Sequence, residues 1–288
     1  MKNKYCYPFF LFAILATSSC AQNKPIVSSK SIENKIDTNF TFIKKIDGNF
    51  SYLDVDVLGN MYVITTGNQL KKLNTNGDSS GIFNDVKQYG QPSLIDVSNP
   101  LKVLVYYNRF STVVILDRFL TFRSSINFRN KDIFKVKSIA NAYDNNIWIF
   151  DEQDYKLKKI NDAGEVITET NDFRQIFDKA PSPTEMHDTE GYIYLYDPAE
   201  GFFIFDYYGS LKNNYPFLNW EHIAVTKNYL YGFQNNMLHT YTLNTFTTNS
   251  YSLKNIAENY KTIKAINGKL YILKENAVEI YEINIKAK

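Results

Sequence analysis

Short apolar runs alternate with polar turns along most of the chain, and within each run the apolar side chains recur at every second residue. Six runs share one form, a small turn segment leading into an aromatic and aliphatic strand: GNMYVIT (59–65), LKVLVYY (101–107), NNIWIFD (145–151), GYIYLYD (191–197), NYLYGFQ (228–234) and GKLYILK (268–274). Taking Tyr62, Leu104, Trp148, Tyr194, Tyr231 and Tyr271 as equivalent, the steps are 42, 44, 46, 37 and 40 residues. No long segment carries a helical period. Alternation with Tyr, Phe, Ile, Val and Thr predicts strands throughout.

A second pattern follows the first. LKKLNTNG (70–77) reappears as LKKINDAG (157–164), with looser copies FFIFDYYG (202–209) and VVILDRFL (113–120). The closing positions 77, 120, 164 and 209 step by 43, 44 and 45 residues. The form is a strand entering a tight turn. Asn74, Asn161 or Asp206 accepts a backbone hydrogen bond as the turn opens, and Gly77, Gly164 or Gly209 supplies the positive φ that closes it. Leu120 stands where that glycine is expected. In the fifth unit LHTYTLNTF lacks the glycine too, which leaves its register open.

Units of about 40–50 residues built from short strands have the period of β-propeller blades. The last unit offers three strands, near 262–266, 270–274 and 278–283, and is one short. FTFIKKI (40–46) precedes the first unit as a lone strand. The prediction is an all-β, six-bladed propeller over residues 40–288, closed by pairing of the N-terminal strand with the last blade.

The stretch DVLGNMYV (56–63) followed by LKKLNTNG is similar to the repeat of NHL/TolB-like six-bladed propellers, and especially resembles the six-bladed propeller lipoproteins of Bacteroidota. The resemblance covers roughly residues 40–284, clearest in units one, three and four. It implies the fold and no particular activity, because this superfold hosts many.

Charge adds an exclusion: 32 Lys and Arg stand against 30 Asp and Glu, with no basic stripe, so no nucleic-acid partner is expected. RNKDIFKVK (129–137) is expected to be a solvated edge strand. The N-terminus reads as an address. MKNK is a basic start, YCYPFFLFAILA an apolar run too short to span a bilayer, and TSSC a small-residue exit. Residues 1–20 are therefore an export signal, and Cys20 a candidate lipidation site, although Thr17 stands where such signals usually carry Leu. Ordinary cleavage after Ala21, leaving Gln22 first, is the alternative. Cys6 departs with the signal and no cysteine follows Cys20, so lipidation would consume a thiol that has no partner. Residues 21–39 are polar and read as a flexible tether. The expected location is the outer membrane facing the periplasm, with the cell surface and the soluble periplasm as alternatives.

Candidate chemistry lies on the innermost strands, expected at 51–57, 93–99, 138–144, 184–190, 222–228 and 262–268. Their polar residues are Asp54, Asp56, Asp96, Asn141, Glu185, His187, Asp188, His222 and Lys264. Asp56 and Asp188 fall at one repeat position, where the plain role is to accept backbone hydrogen bonds at a blade turn. The functional alternative is a Ca²⁺ site drawing on Asp54, Asp56, Asp96 and Asp188. No zinc-ligand spacing exists among His187, His222 and His239, and no G-x-S-x-G or phosphate cradle occurs. No cofactor or catalytic residue is therefore expected. The nearest to catalysis is His187 with Asp188 and Glu185, which resembles the acid/base groups of lactonase-like six-bladed propellers, where a metal sits on Glu, Asn and Asp. Aromatics in 109–130 and 205–222, Trp220 among them, suit inter-blade packing, protein docking or carbohydrate stacking. The expected function is a non-enzymatic scaffold binding an envelope protein; a metal-dependent lactonase-like hydrolase and a carbohydrate binder are the alternatives.

Overall fold

The computed structural model describes residues 39–284. Their strands form six antiparallel sheets of four, in a ring. Blade 1 spans 50–83, blade 2 94–127, blade 3 136–169, blade 4 185–215 and blade 5 221–252. Blade 6 takes three strands from 262–283, and its fourth is Phe40–Asp47, paired from Phe40↔Ile283 to Asp47↔Ala277. The N-terminal strand thus closes the ring at the place the short last unit predicts. Cys20, the predicted export signal and all of the predicted tether but Asn39 lie outside the described residues.

Within each blade the first strand is innermost. The second and third strands are apolar on both faces because both faces meet a neighbouring blade. Tyr62 and Ile64 pack with Val103, Val105 and Leu116 of blade 2, while Met61 and Val63 pack with Leu273, Val278 and Ile280 of blade 6. Each of the six seams has such a cluster, so the core is a ring of interfaces with no single centre. Period-two alternation therefore sorts side chains between two dry seams, not between core and solvent.

The repeated octapeptide makes the same turn in each copy. Asn74 Oδ1 accepts from the N–H groups of Asn76 (2.9 Å) and Asp78 (3.0 Å); Asn161 does so from Ala163 and Glu165, and Asp206 from Tyr208 and Ser210. Asp117 holds the same bonds to Phe119 and Thr121, and Leu120 takes the glycine conformation at φ 63°. A left-handed non-glycine residue costs about 1–2 kcal/mol, and burial of a leucine returns about 1.5–3. Leu120 is 1% exposed in the seam between blades 1 and 2, so burial offsets the strain. The octapeptide's second lysine also has a structural task. Lys72 and Lys159 sit 5.2 Å from the Tyr62 and Trp148 rings, their cross-strand partners.

Two expectations are corrected. RNKDIFKVK is no edge strand: it begins in a 3₁₀ turn, Phe128–Lys131, crosses from blade 2 to blade 3 and enters that blade's innermost strand at Val136. Asp56 and Asp188 are not equivalent in register. Asp188 pairs with Ile193 as Val55 pairs with Met61, because blade 4 turns tightly at Glu190–Gly191, both at positive φ, whereas blade 1 uses the longer Asp56–Asn60 turn.

Candidate functional site

The innermost strands surround a central cavity of about 480 Å³, lined by residues of all six blades, with Ile139 the contribution of blade 3. Pairing with the second strands aligns them. Tyr62, Leu104, Trp148, Tyr194, Tyr231 and Tyr271 face Asp54, Asp96, Ala140, His187, Ala224 and Lys264. The sequence candidates Asp54, Asp96, His187 and Lys264 therefore share one level of the ring. Glu185 lies two residues before His187 on the same strand, as Tyr52 lies before Asp54.

Most of these groups are already engaged. Lys264 Nζ stands 2.9 Å from Asp54 Oδ1, across the seam between the last and first blades. Burial pulls the Lys264 ammonium down, but Asp54, with Glu185 and Asp96 beyond it, holds it above its ordinary value. Asp96 accepts from the Ser98 N–H at 2.8 Å and reaches blade 3, where the Asn141 backbone N–H and its Nδ2 donate to it. Tyr52 also faces this cavity, and burial followed by Asp54, Glu185 and Asp96 pushes its phenol well up.

Glu185 and the two histidines are less engaged. Glu185 has the Nε2 of His187 at 3.7 Å, too long for a hydrogen bond, and that buried nitrogen has no hydrogen-bond partner. Burial pushes the Glu185 carboxyl up, yet His187, Lys264 and His222 outweigh it and hold the group below its ordinary value. His222 enters the lining through a bulge: Glu221 pairs with Phe233 and Ala224 with Tyr231, and His222 takes φ 51°. Burial lowers its imidazole, against the pull of Glu185 and Glu221.

The remaining candidates are held by local structure. Asp56, fully buried, accepts from Leu58 N and Asn60 N at 2.9 Å, from Asn60 Nδ2 at 2.8 Å and from Tyr62 OH at 3.2 Å. Asp188 lines the cavity but spends its oxygens across the seam. It accepts from the Trp148 indole at 2.8 Å, the Tyr143 N–H at 3.2 Å and the Tyr207 hydroxyl at 2.5 Å. Burial raises its carboxyl in spite of these three donors. Among the described residues no three His, Cys, Asp or Glu side chains converge as a metal-binding group. The structure thus brings Glu185, His187, His222, Asp54 and Lys264 around one space and leaves Asp56 outside it. Tyr52 was missed by sequence reasoning, although alternation places it on the face of Asp54.

A second surface lies at one end of the ring. Turns joining strands 1 and 2 emerge there, as their mutual contacts show: Asn99 with Asn145, Lys227 with Glu190, and Asn267 with the Val57 carbonyl; antiparallel pairing puts the turns joining strands 3 and 4 at the same end. Blades 1 to 5 each place an exposed apolar side chain on these turns: Leu58, Leu101 and Phe119, Tyr143, Tyr208 (94% exposed) and Phe246 (70%). Trp220, by contrast, is buried in the seam of blades 4 and 5, stacked 4.6 Å from Phe217 with 3° between the planes.

No protein-family model and no curated protein matches the chain. Solved structures do resemble it. An exported protein of Bacteroides fragilis superposes with a TM-score of 0.58 at 9% identity, covering 87% of this chain and 97% of that one. A virginiamycin B lyase from Staphylococcus aureus gives 0.55 at 14% identity, over 86% and 90%. BamB from Moraxella catarrhalis gives 0.51 at 12% identity, over 86% and 99%. At these identities the likeness is one of fold.

Proposed function

We propose that the chain is an exported β-propeller, anchored in the cell envelope by lipidation of Cys20, that binds another envelope protein and has no enzymatic activity of its own. The observation that carries this reading is the set of exposed apolar turn tips at one end of the ring. Leu58, Leu101, Phe119, Tyr143, Tyr208 and Phe246 come from five blades and are separated by polar turn residues, a distribution suited to a broad protein surface. Phe40 pairs with Ile283 at this same end, so the closing strand begins on the side of the ring that carries these tips. A rigid disc presenting such a face needs no chemistry at its centre, and Asp54, Asp96 and Asp188 are spent on joining blades. The exported structural neighbour is in keeping with this address.

The test is affinity purification from detergent-solubilised envelopes of the native host. The wild-type chain should bring down a stoichiometric partner, and a Leu58→Ser/Tyr208→Ser/Phe246→Ser variant should lose it while remaining folded. Recovery of the wild-type chain alone under gentle conditions contradicts the reading.

One observation favours a second reading. Glu185 and His187 both line the central cavity, and the buried His187 Nε2 lies 3.7 Å from the Glu185 carboxylate, an arrangement that a hydrolase could use for proton transfer. Turnover of lactone substrates that is abolished by His187→Gln would establish it.

A further inference from the structure

Independently of the docking face, the central cavity is a channel as long as the innermost strands. Hydroxyl side chains stand at both of its ends: Ser93, Thr184 and Thr262 where those strands begin, and Ser98, Thr189 and Thr226 where they turn back. About half of its lining residues are polar, and its volume of about 480 Å³ falls within the range of about 300–1,000 Å³ typical of small-molecule pockets.

Charge narrows the class of ligand. Four carboxylates, Asp54, Asp96, Glu185 and Asp188, line the channel with one lysine, which disfavours an anion. A cation finds little unspent charge either. Asp54 has Lys264, Asp96 has the N–H groups of Ser98 and Asn141, Asp188 has Trp148, Tyr143 and Tyr207, and Glu185 has His187 within ion-pair distance at 3.7 Å.

Bonding capacity remains all the same. Lys264 Nζ lies 2.9 Å from Asp54 Oδ1, and the two side chains keep 17% and 13% of their surface accessible. An ammonium has three N–H groups and a carboxylate about four acceptor sites, so this pair sets a donor beside an acceptor with sites to spare. Glu185 is more accessible, at 35%, and its charge acts on both Lys264 and Tyr52, so it faces the same space. Adjacent hydroxyl groups match a donor set beside an acceptor: one donates to the carboxylate while its neighbour accepts from the ammonium.

We propose that the channel binds a neutral saccharide of one or two rings, with adjacent hydroxyls held by Asp54 and Lys264 and a further hydroxyl donating to Glu185. An acidic sugar of the same shape would be repelled by the four carboxylates. A ring with a single hydroxyl would lack the paired contacts.

The probes are glucose, galactose, mannose, N-acetylglucosamine, cellobiose, lactose and chitobiose, with glucuronate, galacturonate and cyclohexanol as controls. Each is titrated into the purified chain by calorimetry or ligand-observed NMR. At least one neutral sugar should bind saturably, while the uronates and cyclohexanol should not bind. Glu185→Leu should weaken that sugar about tenfold, the worth of one hydrogen bond to a charged group. Binding of no neutral sugar overturns the proposal without recourse to a variant, as does a uronate or cyclohexanol that binds as tightly as the best neutral sugar. Unchanged affinity in a folded Glu185→Leu chain overturns it as well. Loss of the docking partner in the surface variant leaves these outcomes untouched, so the two readings fail separately.

Discussion

Lys264 and Asp54 face each other at 2.9 Å across the seam where the last blade meets the first. The pair joins the innermost strands of blades 6 and 1, at the inner edge of the blade that the N-terminal strand completes at the rim. Removing one partner leaves the other charged in a confined space, which costs about 3–5 kcal/mol for a fully buried pair and less where the cavity admits water. Lys264→Met should therefore destabilise the ring by about 2–3 kcal/mol in urea unfolding. Pairing it with Asp54→Leu should recover most of that loss.

The cavity also predicts a pH dependence. Glu185 is held below its ordinary 4.5, so its contribution to stability is present above that value and is lost as pH falls through the folded-state pKa. Lys264 is held above 10.5, so its contribution is full below that value and is lost as pH rises through the folded-state pKa. Asp188, raised by burial, works in the opposite sense to Glu185 on the acid side. The acid limb of a stability-against-pH curve should be shallower for Glu185→Gln than for wild type. Identical acid limbs would contradict the assigned environment.

Leu120 occupies a position that repeats elsewhere as glycine, yet it is buried against its neighbours in the seam. Restoring glycine relieves strain of about 1–2 kcal/mol but removes a side chain whose loss from a core costs about 2–5. Leu120→Gly should destabilise by about 2 kcal/mol, measured by urea titration. A more stable variant would show that the turn, not the packing, governs this residue.

Tyr207 donates its hydroxyl to Asp188 and stacks on Tyr143 at 4.3 Å. Tyr207→Phe keeps the stacking and withdraws one of three donors from a half-buried carboxylate. The expected cost is about 1.5–3 kcal/mol, the range for a hydrogen bond to a charged group. Trp148, which donates to the same carboxylate, gives a fluorescence signal with which to follow the unfolding.

The fold was legible because the repeat writes its own geometry. Strand, Asx turn and positive φ recur at Asn74, Asn161 and Asp206, and the deficit of one strand in the last unit foretold that the strand at 40–46 pairs with it, as Phe40 opposite Ile283 shows. Register was less legible. Asp56 and Asp188 look alike as D-x-x-G, but a tight turn in blade 4 shifts Asp188 by one residue and sends it to Trp148 of the neighbouring blade. The cavity was legible as a list of residues and not as an arrangement. Which carboxylate finds a lysine depends on contacts between first and last blades, and a bulge at Glu221–Ala224, unmarked by glycine or proline, aims His222. Trp220 reads as a packing aromatic with docking and carbohydrate stacking as alternatives, and Phe217 stacked on it in the seam of blades 4 and 5 shows packing.

The docking face is tested most directly by photo-crosslinking in intact cells, with a photoreactive residue at position 208 or 246 on the turn face, or at 110 or 134 on the opposite end. The account predicts one discrete crosslinked protein from 208 and 246 and none from 110 and 134. The same product from both ends, or no product from the turn face, would contradict it.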